Sequence, residues 1–451
     1  MLVESLVNTS RIVAVAVFVL AAAAPGASSS APPGSSVPTI ETVARPVAHG
    51  NSGEAVGALR MRFRLDTRAG LVALRDFSLG VLREGLKDED PYERCYAASA
   101  LAGHGDWSGA GVLENGVTAS DPGVRRAAIE GLGEIGHGEA LRILRRIYAE
   151  SDSFGQLLVL QGLRSGGSGE ALDLLIEAVR HADGSLRLQA VENLGLLGDA
   201  RAIPAVRGLL ARENVRMFER VTAAHALLRL GDRSGVPLLL AALEGAPGTG
   251  RAAATLALGY AKEERVVPVL TKLLRDSEID VTIAAAAALS RYGKKDGLPR
   301  LRQALEDEDA FTRRHVAMLL EHVEYGVAHE VVLAGLEAGD VDVRLAAAHM
   351  VGVAGDAKDI GALTKLMHAD EDPMVRADVA WALGRMSSRK VIDPLIELVQ
   401  EEAPTGRYTA ADGLARTANR LIGAGNEGRR EGGLAAAAVW HQRKAARRNA
   451  S

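Results

Sequence analysis

His315, His322 and His349 come nearest, of the chain's 11 histidines, to a metal-binding pattern. On a helix His315 and His322, seven residues apart, share one face, and imidazoles so placed can hold zinc. No acidic ligand stands at matching height, so the three read as polar surface and no metal is expected. Cys95 is the single cysteine, which excludes an intrachain disulfide and a CxxC metal site; beside Arg94 on a helical stretch it reads as a packed thiol. The loop GNEGRREGG follows no strand and forms neither a GxGxxG nor a GKS/T turn. No G-x-S-x-G elbow appears, and Ser165 to Gly169 is an inter-helix turn. The sequence therefore predicts no enzyme and no cofactor.

The elements that carry these residues repeat. Steps of about 31 residues from Arg94 land on Arg125, Gln156, Arg187, Arg220, Arg251, Thr282, Arg313, Arg344, Arg376 and Arg407, nine arginines in eleven positions. Four residues earlier stands an acid in eight copies, with Arg216, Pro247 and Ala403 as exceptions. Asp121 and Pro122 show the meaning of that position: an N-cap carboxylate followed by a proline suited to the first helical turn. Arg125 then falls near the positive end of the helix dipole, a mildly unfavourable place that something else must offset.

Each unit reads as two helices. In the copy from Asp121 the first carries Ala128, Ile129, Leu132 and Ile135 as an apolar stripe, Gly136 and Gly138 break it, and Glu139 to Glu150 forms the second. Such short pairs bury their stripes only against neighbouring copies, which makes a solenoid. Small residues three positions past the arginine, such as Ala97, Ala128 and Ala190, allow close helix approach, and eleven steps predict a rod or arc of roughly 100 Å.

The unit D-P-x-V-R-x-x-A-x-x-x-L-G-x-x-G followed by A-x-x-x-L-x-x-x-L resembles the HEAT repeat in its short bacterial form, the PBS-lyase HEAT-like repeat, over Asp90 to Asn419. The resemblance implies an all-α superhelical solenoid of about eleven two-helix repeats with helical caps. It also implies a structural ladder in which Arg94, Arg125, Arg187, Arg220, Arg251, Arg313, Arg344, Arg376 and Arg407 bond to acids of successive repeats. Two enzyme branches share the repeat. The di-iron deoxyhypusine hydroxylases use several His-Glu pairs, whereas only His329-Glu330 has that form here; a phycobilin lyase would need a cytosolic biliprotein.

Hydrophobic residues make up 47% of the 451, but aromatics only 4%, which favours closely spaced helices over a sheet sandwich. A net charge of −4 gives no electrostatic reason to expect nucleic acid. Ile12 to Ala24 is apolar for thirteen residues, short for a membrane span and suited to a signal-peptide core, with an uncleaved anchor as the rival. The expected order is signal peptide 1–26, disordered Ser/Pro/Gly-rich linker 27–53, N-terminal helical cap 54–89, solenoid 90–419, and a Gly-rich loop with a basic capping helix 420–451, sealed by Trp440.

In HEAT solenoids the arginine-bearing helix lines the concave side. Offsets five and nine from the arginine, opposite the core stripe, are acidic early in the array and later carry aromatics, histidines and arginines. Such residues are enriched at binding hot spots. A protein- or peptide-binding groove is expected at Arg229, Tyr260, Arg291, Met318, His322, His349, Trp381 and Arg385, on an exported, non-catalytic scaffold, with a purely structural spacer as the other reading.

Overall fold

Asp121 accepts hydrogen bonds from the backbone N–H groups of Gly123 (2.7 Å) and Val124 (3.2 Å), with Pro122 filling the first helical position. Asp90, Asp183, Asp309, Asp340 and Asp372 cap their helices in the same way. Where the acid is missing at Arg216, the Glu219 carboxylate accepts from the Arg216 N–H instead (3.1 Å). The result is a regular succession of helices in a computed structural model that describes residue 65 and residues 67–166, 169–245, 248–307, 309–399 and 404–427. The signal, linker and Trp440 segments expected from sequence lie outside those residues.

Twenty-two α-helices follow one another among the described residues, with no strand. In chain order they are α1 Arg68–Gly85, α2 Pro91–Gly103, α3 Ala110–Val117, α4 Pro122–Ile135, α5 Gly138–Glu150, α6 Ser153–Gly166, α7 Leu172–Ala178 and α8 Gly184–Leu197. There follow α9 Ile203–Leu210, α10 Met217–Arg229, α11 Val236–Gly245, α12 Gly248–Leu258, α13 Val267–Leu273, α14 Ile279–Ser290, α15 Leu298–Leu305 and α16 Ala310–Leu319. The last six are α17 Tyr325–Gly335, α18 Val341–Ala354, α19 Ile360–Ala369, α20 Pro373–Arg385, α21 Ile392–Val399 and α22 Pro404–Glu427. Even-numbered helices carry the arginine positions and pack successively on one another as an inner layer, while odd-numbered helices cover them from outside.

Small residues set the inner spacing. Ala97, Ala128, Val159, Ala190, Ala223, Ala254 and Ala285 are fully buried between inner helices. At two contacts even a methyl group is excluded: a Cβ on Gly133 would lie 2.1 Å from the Gly162 carbonyl oxygen, and one on Gly384 would lie 2.5 Å from the Gly413 Cα.

The predicted arc does not stay open. Its ends meet, because α1 packs against α22 as well as α2, in the position that an outer helix takes beside the other inner helices. Leu71, Leu74, Phe77, Val81 and Leu82 of α1 join one buried cluster with Tyr408, Ala411 and Leu414 of α22. Across this joint Tyr408 donates to Asp88 Oδ2 (2.8 Å), His104 Nε2 lies 2.8 Å from Asp412 Oδ1, and Arg389 donates to the Leu65 carbonyl (2.6 Å). At this joint α1, the helix expected as N-terminal cap, and α22 cap one another, and the solenoid is shut into a ring. Helix α22 also runs on to Glu427, through part of the glycine-rich segment read as loop.

The arginine ladder is mostly local. Arg94 bonds the carbonyls of Asp88 (2.6 Å) and Glu89 (2.9 Å), and Arg125 those of Ala119 and Ser120, in each case the turn that ends the preceding outer helix. Arg187, Arg344 and Arg376 make the same pair of bonds, and Arg313 reaches Asp307 O (2.7 Å). A side-chain carboxylate joins in at four positions: Arg187–Glu219 (2.7 Å), Arg251–Asp276 (3.0 Å), Arg313–Asp340 (3.1 Å) and Arg344–Asp370 (2.6 Å). Arg220 donates to Val215 O (3.2 Å), and Arg407 sits half-buried in α22. Gln156 keeps one bond, to Tyr148 O (3.1 Å), whereas Thr282 turns back on Ile279 O. The arginine that is badly placed at its own helix N-terminus therefore satisfies the C-terminal turn of the helix before it, where a cation is favoured.

Two predictions follow from this packing. A Cβ at Gly85 in the ring joint would lie 2.8 Å from Ala97 Cβ and 2.9 Å from the Tyr408 ring, whereas one at Gly208 in α9 meets nothing within 4 Å. Gly85→Ala should lose about 1–3 kcal/mol of unfolding free energy and Gly208→Ala gain about 0.5–1 kcal/mol, read from urea midpoints. The second concerns Asp378, buried in α20 with no partner for Oδ1; burial pushes its carboxyl up to about 8. An acid whose folded pKa is raised costs nothing below its unfolded pKa and penalises the fold progressively as pH climbs toward the folded value. Asp378→Asn should therefore gain on the order of 5 kcal/mol relative to the parent as pH rises from 4 to 8. A stability difference that stays constant across that range would show that Asp378 ionises as freely folded as unfolded.

Candidate functional site

The inner wall of the ring carries two groups of side chains, both at the C-terminal halves of inner helices. Arg229 ends α10, Tyr260 follows α12, Arg291 follows α14 and His322 follows α16, so four consecutive inner helices bring them together. Tyr260 is the centre. Its hydroxyl accepts from Arg229 Nη1 (3.3 Å) and lies 2.9 Å from His322 Nδ1. His322 Nε2 in turn lies 3.2 Å from the Glu321 carboxylate. Two cations crowd the phenol ring: the Arg291 guanidinium carbon lies 3.8 Å from the Tyr260 ring centroid and that of Arg229 lies 4.9 Å away.

His225 of α10 completes this group, 4.8 Å from Tyr260 and 6.2 Å from His322 between ring centroids. Burial, then the charges of His322, Arg229 and Arg291, push its pKa well below the ordinary histidine range, so it is neutral near pH 7. His225 stands five residues after Arg220, at an inner-face position, but nothing local in the sequence distinguishes it, because its neighbours come from other repeats.

The second group lies at the ring joint. His349 of α18 stacks on Trp381 of α20 at 4.4 Å with the ring planes 9° apart, and Arg385 lies 4.9 Å from the Trp381 ring centroid. Glu134 of α4 shares a side-chain hydrogen bond with Trp381 although nearly 250 residues separate them. Asp412 of α22, fully enclosed, takes His104 on one side and Arg416 Nε on the other (2.7 Å). Burial tends to raise the Asp412 pKa, but Arg416 and His104 together hold it below the usual carboxylate range. Burial raises Glu134 and Glu130, the latter to about 7, and lowers Arg385. Glu134 and Arg385 nevertheless keep solvent-accessible surface. Side chains that remain in reach of water while protein on several sides weakens their hydration show both properties at once.

Of the eight residues expected to form one groove, the structure gathers Arg229, Tyr260, Arg291 and His322 in one group and His349, Trp381 and Arg385 in another. Met318 is half-buried on α16. The three histidines weighed for metal binding are dispersed: His315 pairs with Asp280 (2.6 Å), His322 with Tyr260, and His349 with Trp381. Among the described residues no group of three or more His, Cys, Asp and Glu side chains is arranged to hold a metal ion. Cys95 is buried, and burial pushes its thiol up to about 11, which leaves it protonated and unreactive at neutral pH.

Comparison with known proteins agrees with the repeat architecture. Residues 79–164, 172–254, 236–321 and 330–415 match the family model for HEAT repeats. Deoxyhypusine hydroxylase-B of Oryza sativa subsp. japonica is 28% identical over 222 residues, which cover 48% of this chain and 71% of that protein. Among solved structures, human deoxyhypusine hydroxylase in complex with glycerol is 20% identical, covering 55% of this chain and 96% of that one, with a TM-score of 0.25. The CpcE–CpcF complex of phycocyanin lyase from Nostoc sp. PCC7120 is 22% identical, covering 52% and 90%, with a TM-score of 0.32. Kap121p bound to Pho4p is 13% identical, covering 79% and 48%, with a TM-score of 0.29. With family matches spread over most of its length and helices throughout, the chain belongs to the HEAT-repeat family.

Proposed function

We propose that this chain is an exported, non-catalytic scaffold that holds a protein or peptide partner against the inner wall of its ring. The observation that carries the reading is the pair of cation–aromatic groups on that wall, Arg229–Tyr260–Arg291 and His349–Trp381–Arg385, each presented by neighbouring inner helices and each reachable from the lumen. Large flat side chains held in place by their neighbours lose little entropy on binding, and guanidinium groups beside them add direction. A purely structural spacer gives no reason for charged and aromatic side chains to gather inward.

An enzyme is the second reading, favoured by the names of the relatives. Against it, His329 of the one His-Glu pair belongs to an outer helix and is engaged by buried Asp359 (2.7 Å), while Glu330 points to solvent. Export rests on the Ile12–Ala24 segment, and fractionation of the tagged full chain tests it.

Immobilised full chain should retain a partner from the extracytoplasmic fraction. Trp381→Ala combined with Arg385→Ala should weaken that retention at least tenfold, while Lys272→Ala, exposed on outer helix α13, leaves it unchanged. Equal retention by both variants would remove the inner wall as the binding surface.

A further inference from the structure

The group around Tyr260 has an electrostatic imbalance that points to its ligand. Two guanidinium groups share one ring, yet among the described residues neither meets a carboxylate. The contacts of Arg229 are the Gly195 carbonyl (3.3 Å) and Tyr260; those of Arg291 are Tyr260 and, at 3.5 Å, the His322 carbonyl. The Nε atoms of other buried arginines are also unpartnered, but at Arg187 and Arg251 a carboxylate takes the terminal nitrogens. Arg291 has an unpartnered Nε and only that long bond elsewhere, and His225 Nε2 beside it is likewise shut from solvent without a partner. Glu321 is the nearby acid, and it faces His322.

Cation–π contact holds a guanidinium in place without neutralising it. Two such charges drawn together in a space with little water favour an incoming anion twice, by direct bonding and by relief of their mutual repulsion. Arg229, Tyr260, Arg291 and His322 all retain some exposure, so a chain in the lumen reaches them. The chain's own ends supply no such anion: residues 428–451 hold six Lys or Arg against one Glu, and residues 1–64 contain no acidic run.

We infer that the Arg229–Tyr260–Arg291 group is a recognition site for an acidic peptide segment, with two carboxylates of the partner taken by the two guanidinium groups. The inference rests on the inner wall being a binding surface and names the chemistry of what binds there. A peptide carboxylate suits the site better than a phosphate, because the cations flank an apolar ring and no cluster of backbone N–H groups surrounds them.

Hexaglutamate titrated calorimetrically into the full chain tests this, with hexaglutamine and inorganic phosphate as parallel titrants. Hexaglutamate should bind saturably and more weakly as salt rises; Arg291→Gln and Arg229→Gln should each weaken it at least tenfold, and Arg142→Gln on outer helix α5 should leave it unchanged. Circular dichroism establishes that each variant is folded; should Arg291→Gln fail to fold, the half-exposed Arg229→Gln decides. Equal binding of hexaglutamine, displacement by phosphate at equal concentration, or indifference to both arginine changes would overturn the site. Loss of hexaglutamate binding alongside intact Trp381-dependent capture of a partner would sink this inference and leave the scaffold reading standing, whereas failure of both would remove the two together.

Discussion

The packing of α1 between α22 and α2, in the position of an outer helix, is the contact on which the rest of the architecture depends. A solenoid end exposes an apolar face that no further repeat covers. Here the two exposed faces are complementary. Leu71, Leu74, Phe77, Val81 and Leu82 cover what α22 would otherwise present to water, and each large side chain buried this way is worth about 1.5–3 kcal/mol. The entropy lost in bringing together segments some 320 residues apart grows only with the logarithm of that separation, so a long array closes at little more cost than a short one. Polar contacts then fix the register. Asp412, shut off from solvent, is tolerable only with His104 and Arg416 both in place, and that requirement couples the first repeat to the last.

Closure also determines the chemistry of the inner wall. On an open arc Glu134 and Trp381 would lie near opposite ends; in the ring they share a hydrogen bond, and Arg385 and Arg416 crowd the same acid. Charges that would be unremarkable on a solvated helix face shift their pKa values because the opposing wall takes away part of their hydration. The lumen thus differs from the outer surface in kind, and the difference comes from a contact made elsewhere in the chain.

The period of 31 was legible because the constraint that produces it is local: a cap such as Asp121, an arginine such as Arg125 that reaches back to Ala119 and Ser120, and a leucine such as Leu132 that enters the core all lie within one repeat. Ring closure was not legible. The apolar stripe of α1 looks the same whether it seals one end or joins two, and Tyr408 carries no sign that its hydroxyl will meet Asp88. For the same reason the eight inner-wall residues could be assigned to a face but not to groups. His225 and Arg291 lie 66 positions apart, and only the packing of successive inner helices brings both against Tyr260.

Two sets of arginines now separate on physical grounds, although both sit at helix ends and look alike in sequence. The set at the starts of inner helices, with Arg94, Arg125 and Arg344 as examples, spends its donors on the last carbonyls of the preceding outer helix, where the dipole welcomes a cation. Arg420 belongs with them in effect, because both of its terminal nitrogens are held by the carbonyls of Arg385 and Gly384. Arg229 and Arg291 also stand at helix C-termini, their own, and so gain from the dipole, but their donors find a ring, a distant carbonyl and no acid. An arginine whose terminal nitrogens are engaged by the fold's own carbonyls or carboxylates stiffens the repeat and has less to offer a ligand. One whose charge is kept in place and left unanswered stabilises the fold less than it might, and the deficit is recovered when an anion arrives.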